Sequence, residues 1–148
     1  MKPFQYQLQK ILELKEKEKE QAEWAFGKTM QKKNEEEAKL YRLTERREEL
    51  THYLFSVQTE SCSAAQLIDL TRYRQAVDKA IETQMHTLHG CEEELERAKL
   101  RLTHKMQESQ LWSRHRERAM ELYDEEAKKR EQKELDEIGI SRYLRRSN

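Results

Sequence analysis

Between Phe4 and Ile138 the chain contains almost nothing that turns a backbone: its one proline is Pro3, and its three glycines are Gly27, Gly90 and Gly139. Long helices are the default for such a chain, because proline and glycine are the residues that interrupt them. Charged residues make up 39% against 35% hydrophobic, too few apolar groups for a thick globular core but enough for a narrow seam. The 29 basic and 29 acidic residues are interspersed and the formal charge is zero, as on solvated helix faces laced with ion pairs. Bulk electrostatics therefore nominate no partner.

Alternate steps of three and four from Gln5 trace a seam through Leu8, Leu12, Lys15, Lys19, Ala22, Phe26, Thr29, Lys33, Glu36, Leu40, Leu43, Arg47, Leu50, Leu54 and Val57. That spacing keeps one face of a helix against a partner helix. The same steps from Leu67 trace Leu70, Arg74, Val77, Ile81, Gln84, Leu88, Cys91, Leu95, Ala98 and Leu102, then a weaker run through Lys105, Ser109, Trp112, Arg116, Ala119 and Tyr123. The first seam is apolar at its ends and charged in its middle, where long lysine and arginine stems can cross a narrow interface with their heads in water.

Small polar residues separate the two seams, from Gln58 to Gln66, with Ser63 placed to cap the second helix. So short a connection forces antiparallel packing, with positions opposed when their numbers add to about 124. Leu54 then faces Leu70, Leu43 faces Ile81, Phe26 faces Ala98 and Leu12 faces Trp112. The expected fold is all-α, a long two-helix antiparallel coiled-coil hairpin forming a single domain. Its parts are a first helix over 4–58, a turn over 59–65, a second helix over 66–138 that Gly139 stops, and a flexible, basic tail over 139–148. Arms of about 55 residues would make a rod on the order of 80 Å long.

Such a rod is convex, and catalysis requires groups converging in a water-limited cavity. The chain has no glycine-rich phosphate loop, no nucleophile elbow and no HExxH motif. It reads as a non-enzyme without a cofactor. Cys62 and Cys91 are too few for a disulfide framework, which points to a reducing compartment. No apolar run reaches the roughly 18 residues of a membrane span, and the N-terminus lacks the apolar core of a signal peptide. His86, His89 and Cys91 beside Glu92 have metal-ligand chemistry, but Cys91 falls on the seam and the histidines read as solvated. Seven basic residues between Arg97 and Arg118 could meet phosphates, yet Glu13, Glu16, Glu18, Glu20 and Glu23 on the facing arm would neutralise much of that charge. Nucleic acid is thus not an expected partner.

Aromatic residues off the seam are either flanking residues that broaden it or anchors for a partner. Trp24, Tyr41, Tyr53 and Tyr73 are the four in question. On the second reading, Tyr41, Leu43, Leu50 and Tyr53 with Tyr73, Val77 and Ala80 form an adhesive patch on the half of the hairpin nearer the turn.

The two ends of the chain carry a resemblance. Phe4-Gln5-Tyr6-Gln7-Leu8-Gln9-Lys10-Ile11-Leu12-Glu13-Leu14-Lys15, with Gln21-Ala22 after a Glu/Lys run, resembles the opening of the flagellar FliJ family. Lys129-Arg130-Glu131-Gln132-Lys133-Glu134-Leu135-Asp136-Glu137-Ile138 resembles its close, and Tyr73 with Lys79-Ala80-Ile81-Glu82 keeps its spacing mid-chain. The resemblance implies an antiparallel hairpin similar to the shaft of rotary ATPases, cytoplasmic and peripheral to the cell membrane at the flagellar base. It also implies three partners: the flagellar export ATPase ring, at the end bearing both termini; the cytoplasmic domain of the export gate, nearer the turn; and empty export chaperones. The family's gate-contact stripe falls on Lys39, Leu43, Arg46, Leu50, Tyr73, Val77, Ala80 and Gln84, of which Leu43, Leu50, Tyr73, Val77 and Ala80 keep the apolar or aromatic character. At the ATPase end, position alone nominates Leu8, Ile11, Leu12, Trp112 and Ala119. The corresponding stalk of a virulence type III secretion system and a generic coiled-coil adaptor are the alternative readings.

Overall fold

A computed structural model describes residues 2–60 and 63–147. Two helices, α1 (Gln9–Thr59) and α2 (Ala64–Ser147), account for nearly all of them. Both are rich in Leu, Glu, Lys, Gln and Arg, which lose little rotamer freedom in a helix. Most of the helical threonines make a local bond: Thr29, Thr44, Thr51, Thr71, Thr83, Thr87 and Thr103 each donate the hydroxyl to the carbonyl four residues back. The connection is short, and Ser63 caps α2 as its sequence position predicts: its Oγ accepts from the Gln66 amide at 3.2 Å and its carbonyl from the Leu67 amide. Ser61 and Cys62, part of the expected turn, lie outside the described residues.

The fold is an antiparallel helical hairpin, and its chain divides into two compact units. The turn unit spans Gln21–Thr103, and the terminal unit combines Met1–Glu20 with His104–Asn148. In the turn unit, Arg47 meets Asp78 and Glu36 meets Gln84, pairs whose numbers add to 125 and 120. In the terminal unit, Lys15 meets Glu108 and Gln9 meets Arg116, adding to 123 and 125. Both sets sit near the register expected from the short connection. From Leu8 onward, every counted seam position except Arg47 is buried or half-buried. Arg47 instead reaches across the surface, its Nε 2.6 Å from Asp78 Oδ1, which is how a long charged side chain leaves a narrow seam.

Three boundaries differ from the sequence reading by two residues or more. Residues 4–6, expected to be helical, have no regular secondary structure, and α1 begins at Gln9. The reason is aromatic packing on α2: the Phe4 ring lies 5.4 Å from that of Tyr123, the Tyr6 ring lies 5.7 Å from that of His115, and Tyr123 donates its hydroxyl to the Lys2 carbonyl. A first helical turn would leave its amides unpaired in any case, so little helix stability is lost by its absence. At the other boundary of this hairpin, α2 starts at Ala64, two residues before the expected position, because Ser63 caps it.

The third difference is at Gly139, which does not stop α2. The helix runs on to Ser147, so the expected tail is helical over its described part. A glycine ends a helix by taking a left-handed conformation, and no glycine among the described residues has positive φ. In the helix interior it costs only about 1 kcal/mol relative to alanine. Arg145 and Arg146, in the last turn, favourably face the negative end of the helix dipole.

Candidate functional site

The turn unit holds its helices with a short apolar list. Leu54, Val77, Cys91 and Ala98 are buried, and the half-buried leucines of the seam flank them. Gln84 adds a polar bridge, donating its side-chain amide to the Glu36 carbonyl at 2.9 Å and to the Glu36 carboxylate at 2.5 Å. That bond, with Lys39 Nζ 3.1 Å away, holds the Glu36 carboxyl below the usual carboxylate range.

Five residues were nominated from the gate-contact stripe, and the structure sorts them by exposure. Tyr73 is 46% exposed; Leu43, Leu50 and Ala80 are half-buried; Val77, only 6% exposed, belongs to the core. Val77 therefore has little surface to offer a partner while the two helices are paired. Of the three polar positions in the stripe, Lys39 and Arg46 are exposed, while Gln84 is committed to Glu36. Lys39, Arg42, Leu43, Arg46 and Gln84 line a shallow groove of about 350 Å³ open to solvent, close to the lower end of ligand-pocket sizes and without their enclosure. A second groove is lined by Tyr53, Val57, Gln66, Asp69 and Leu70. These are surfaces that another protein's side chains could enter.

Trp24, Tyr41, Tyr53 and Tyr73 are all exposed, so the off-seam aromatics do not broaden the seam. Trp24 carries the Lys28 ammonium 4.0 Å above its ring. A glutamate neighbour, Glu45, pushes the Tyr41 hydroxyl's pKa up. Sequence reasoning passed over Phe55 and Ile68, which are 70% and 53% exposed on either side of the turn. Their signal was available: both are large apolar residues off the counted seam.

The terminal unit is built from other chemistry. Lys15 Nζ lies 3.0 Å from Glu108 Oε2, Lys105 Nζ lies 3.0 Å from Glu18 Oε2, and His104 Nε2 lies 2.7 Å from Glu108 Oε1. The Lys15 approach is an ion pair rather than a well-aimed hydrogen bond, and it leaves Glu108 Oε2 buried without a hydrogen-bond partner. The Lys15 ammonium holds the Glu108 carboxyl below its ordinary range, Lys105 does the same for Glu18, and Glu108 raises Lys15. Farther along, Arg116 donates from Nε to Gln9 Oε1 at 3.1 Å, and Tyr6 is hydrogen-bonded to His115 Nδ1. Among the residues nominated for the ATPase end, Leu12 is buried, Leu8, Trp112 and Ala119 are half-buried, and Ile11 is exposed.

The histidine and cysteine cluster is not assembled. Cys91 is buried at the seam, and His89 pairs with Glu93 at 3.1 Å. Among the described residues no group of three or more His, Cys, Asp or Glu is placed to hold a metal ion, and no helix is long and apolar enough to cross a membrane.

Residues 4–148 match the family model described as flagellar FliJ protein. No curated protein sequence matches the chain. Among solved structures, a Chlamydia trachomatis protein described as a YscO homologue is similar, with a TM-score of 0.68 at 20% identity, covering 93% of this chain and 93% of that one. At that identity the likeness is one of fold.

Proposed function

Because the chain belongs to the flagellar FliJ protein family, a family of type III export stalk and escort proteins, we propose that it is a non-enzymatic stalk of the flagellar export apparatus. In this reading its terminal unit enters the ring of the export ATPase and its turn unit contacts the cytoplasmic domain of the export gate. It works in the cytoplasm against the inner face of the membrane at the flagellar base, and it escorts empty export chaperones. Tyr73 is the observation that carries the gate contact: a large aromatic residue that is off the seam, exposed, and on the same helix as half-buried Ala80. Aromatic side chains of this kind concentrate binding energy when a partner desolvates them. Leu43 and Leu50 supply the apolar floor from α1, with Val77 beneath. At the ring end Ile11 offers the exposed apolar contact, while Leu8, Leu12, Trp112 and Ala119 shape the pair that presents it.

The test has two arms. Titrating the protein into the cognate flagellar export ATPase should stimulate hydrolysis and increase ring assembly in the same samples. Binding to the gate's cytoplasmic domain should weaken by about tenfold or more in Tyr73→Ala, with the melting curve little changed because the side chain is off the seam and exposed. Gate affinity equal to the unmodified protein's would remove Tyr73 from the contact. Failure to stimulate the ATPase by a helical protein that still binds the gate would favour an adaptor over a stalk.

A further inference from the structure

Residues 128–147 of α2 are exposed throughout and lie beyond Tyr123, which donates its hydroxyl to the Lys2 carbonyl. Within this stretch the last two turns are chemically two-sided. At 100° per residue, Tyr143, Ile140 and Leu144 fall within one 100° arc, and Arg145, Arg142 and Arg146 fall within another on the opposite side. The apolar three are 72%, 61% and 56% exposed. No acidic side chain occurs after Glu137, so these turns carry three arginines and no aspartate or glutamate in a chain of zero formal net charge. Compensation of the helix dipole accounts for cations in the final turn, but not for an apolar face opposite them or for Arg142 a turn earlier.

We propose that this segment is an interfacial anchor for anionic lipid surfaces. The helix lies parallel to the bilayer plane, with Ile140, Tyr143 and Leu144 entering the headgroup boundary and the arginines extending to lipid phosphates. An apolar face with opposed cations, helical beforehand because it continues a packed helix, has the chemistry of a surface-lying helix. It is far too short and too charged to cross the membrane. Tyrosine suits the boundary, since its ring is apolar and its hydroxyl stays wet. The charges matter as much as the apolar face: three arginines near an anionic leaflet should strengthen partitioning by about a hundredfold over a neutral one. The anchor is independent of the export reading and requires neither the ATPase nor the gate.

The experiment is sedimentation of the full chain with vesicles of phosphatidylcholine alone or mixed one-to-one with phosphatidylglycerol. The protein should sediment with the mixed vesicles and stay in solution with the neutral ones, and added salt should release it. Combined Ile140→Ser, Tyr143→Ser and Leu144→Ser, and separately combined Arg142→Gln, Arg145→Gln and Arg146→Gln, should each abolish sedimentation at unchanged helicity. In Tyr143→Trp the fluorescence should shift to the blue on mixed vesicles beyond any shift from Trp24 and Trp112 in the unmodified chain. Absence of sedimentation with mixed vesicles overturns the proposal and leaves the face to an acidic protein surface. Sedimentation that survives the serine changes overturns it too, since binding would then be charge adsorption without insertion.

Discussion

In the turn unit, Leu54, Val77, Cys91 and Ala98 are buried at the seam, whereas in the terminal unit Leu12 and Ser109 are the described residues that are. What the terminal unit lacks in apolar contact it replaces with a four-residue ionic lattice, Lys15, Glu18, Lys105 and Glu108, and with Phe4 and Tyr6 strapped onto Tyr123 and His115. Equal seam spacing has thus produced two kinds of cohesion. Apolar burial is insensitive to pH and little affected by salt, while partly exposed ion pairs are weak, screened and titratable. The unit proposed to contact the gate is the one with the more permanent core. The unit proposed to enter a ring is the one whose pairing can be modulated by its surroundings.

The largest expected effect tests the apolar side of that comparison. Leu54→Ala should cost about 2–3 kcal/mol, the lower part of the range for buried leucine because a two-helix seam can partly collapse around the gap. A urea melt followed by circular dichroism measures it. Leu54 is near the turn, so its loss should also loosen the two helices where the connection joins them. A cost comparable to an exposed substitution would mean that the turn unit is not held by its apolar seam, and the contrast with the terminal unit would collapse.

Acidification should act on the other side. The depressed carboxyls of Glu18 and Glu108 contribute stability that is present above the ordinary glutamate value of about 4.3 and is lost as pH falls through their lower folded values. The raised Lys15 contributes below its ordinary value and loses that contribution only as pH rises above it, so it does not oppose the acid effect. Glu36 is depressed in the turn unit as well, but there the buried apolar side chains remain when it is protonated. Amide exchange around Lys105 to Ser109 should therefore accelerate in acid before exchange around Val77 to Ala98 does. Glu108→Gln should weaken the terminal unit at neutral pH and reduce its acid response. Equal protection of both units down to the lowest pH would show that the ionic lattice contributes little.

Much of this contrast was visible in the chain itself. The three-and-four step found the seam, charged positions included, because helix period and a short connection leave few alternatives. Ser63 was legible for the same reason: a small hydroxyl residue preceding a long helix has one obvious use. The boundaries were less so. The irregular path of residues 4–6 goes with packing on Tyr123 and His115, more than a hundred positions away in sequence, and no local preference encodes it. Gly139 illustrates the opposite error, since glycine permits a left-handed stop without compelling one. Site residues were only half legible: a seam count separates Tyr73, off the seam, from Val77, on it, yet a stripe carried over from a resemblance groups the two, and burial is what parts them.

The smallest expected effect probes a position where the two units should differ most in meaning. Ser109 is buried at a seam position, 5% exposed, whereas the buried seam residues of the turn unit, Leu54, Val77, Cys91 and Ala98, are apolar. Alanine there would remove a hydroxyl from the interface and improve helix propensity, since serine is a poorer helix former. Ser109→Ala should therefore raise the melting midpoint slightly, by an amount corresponding to about 0.5 kcal/mol. A fall instead would mean that the serine hydroxyl makes a bond that fixes register beside Glu108 and Lys105. Polar specification of the terminal seam would then extend beyond its charges, and the difference between the two units would be one of pairing specificity as well as of cohesive strength.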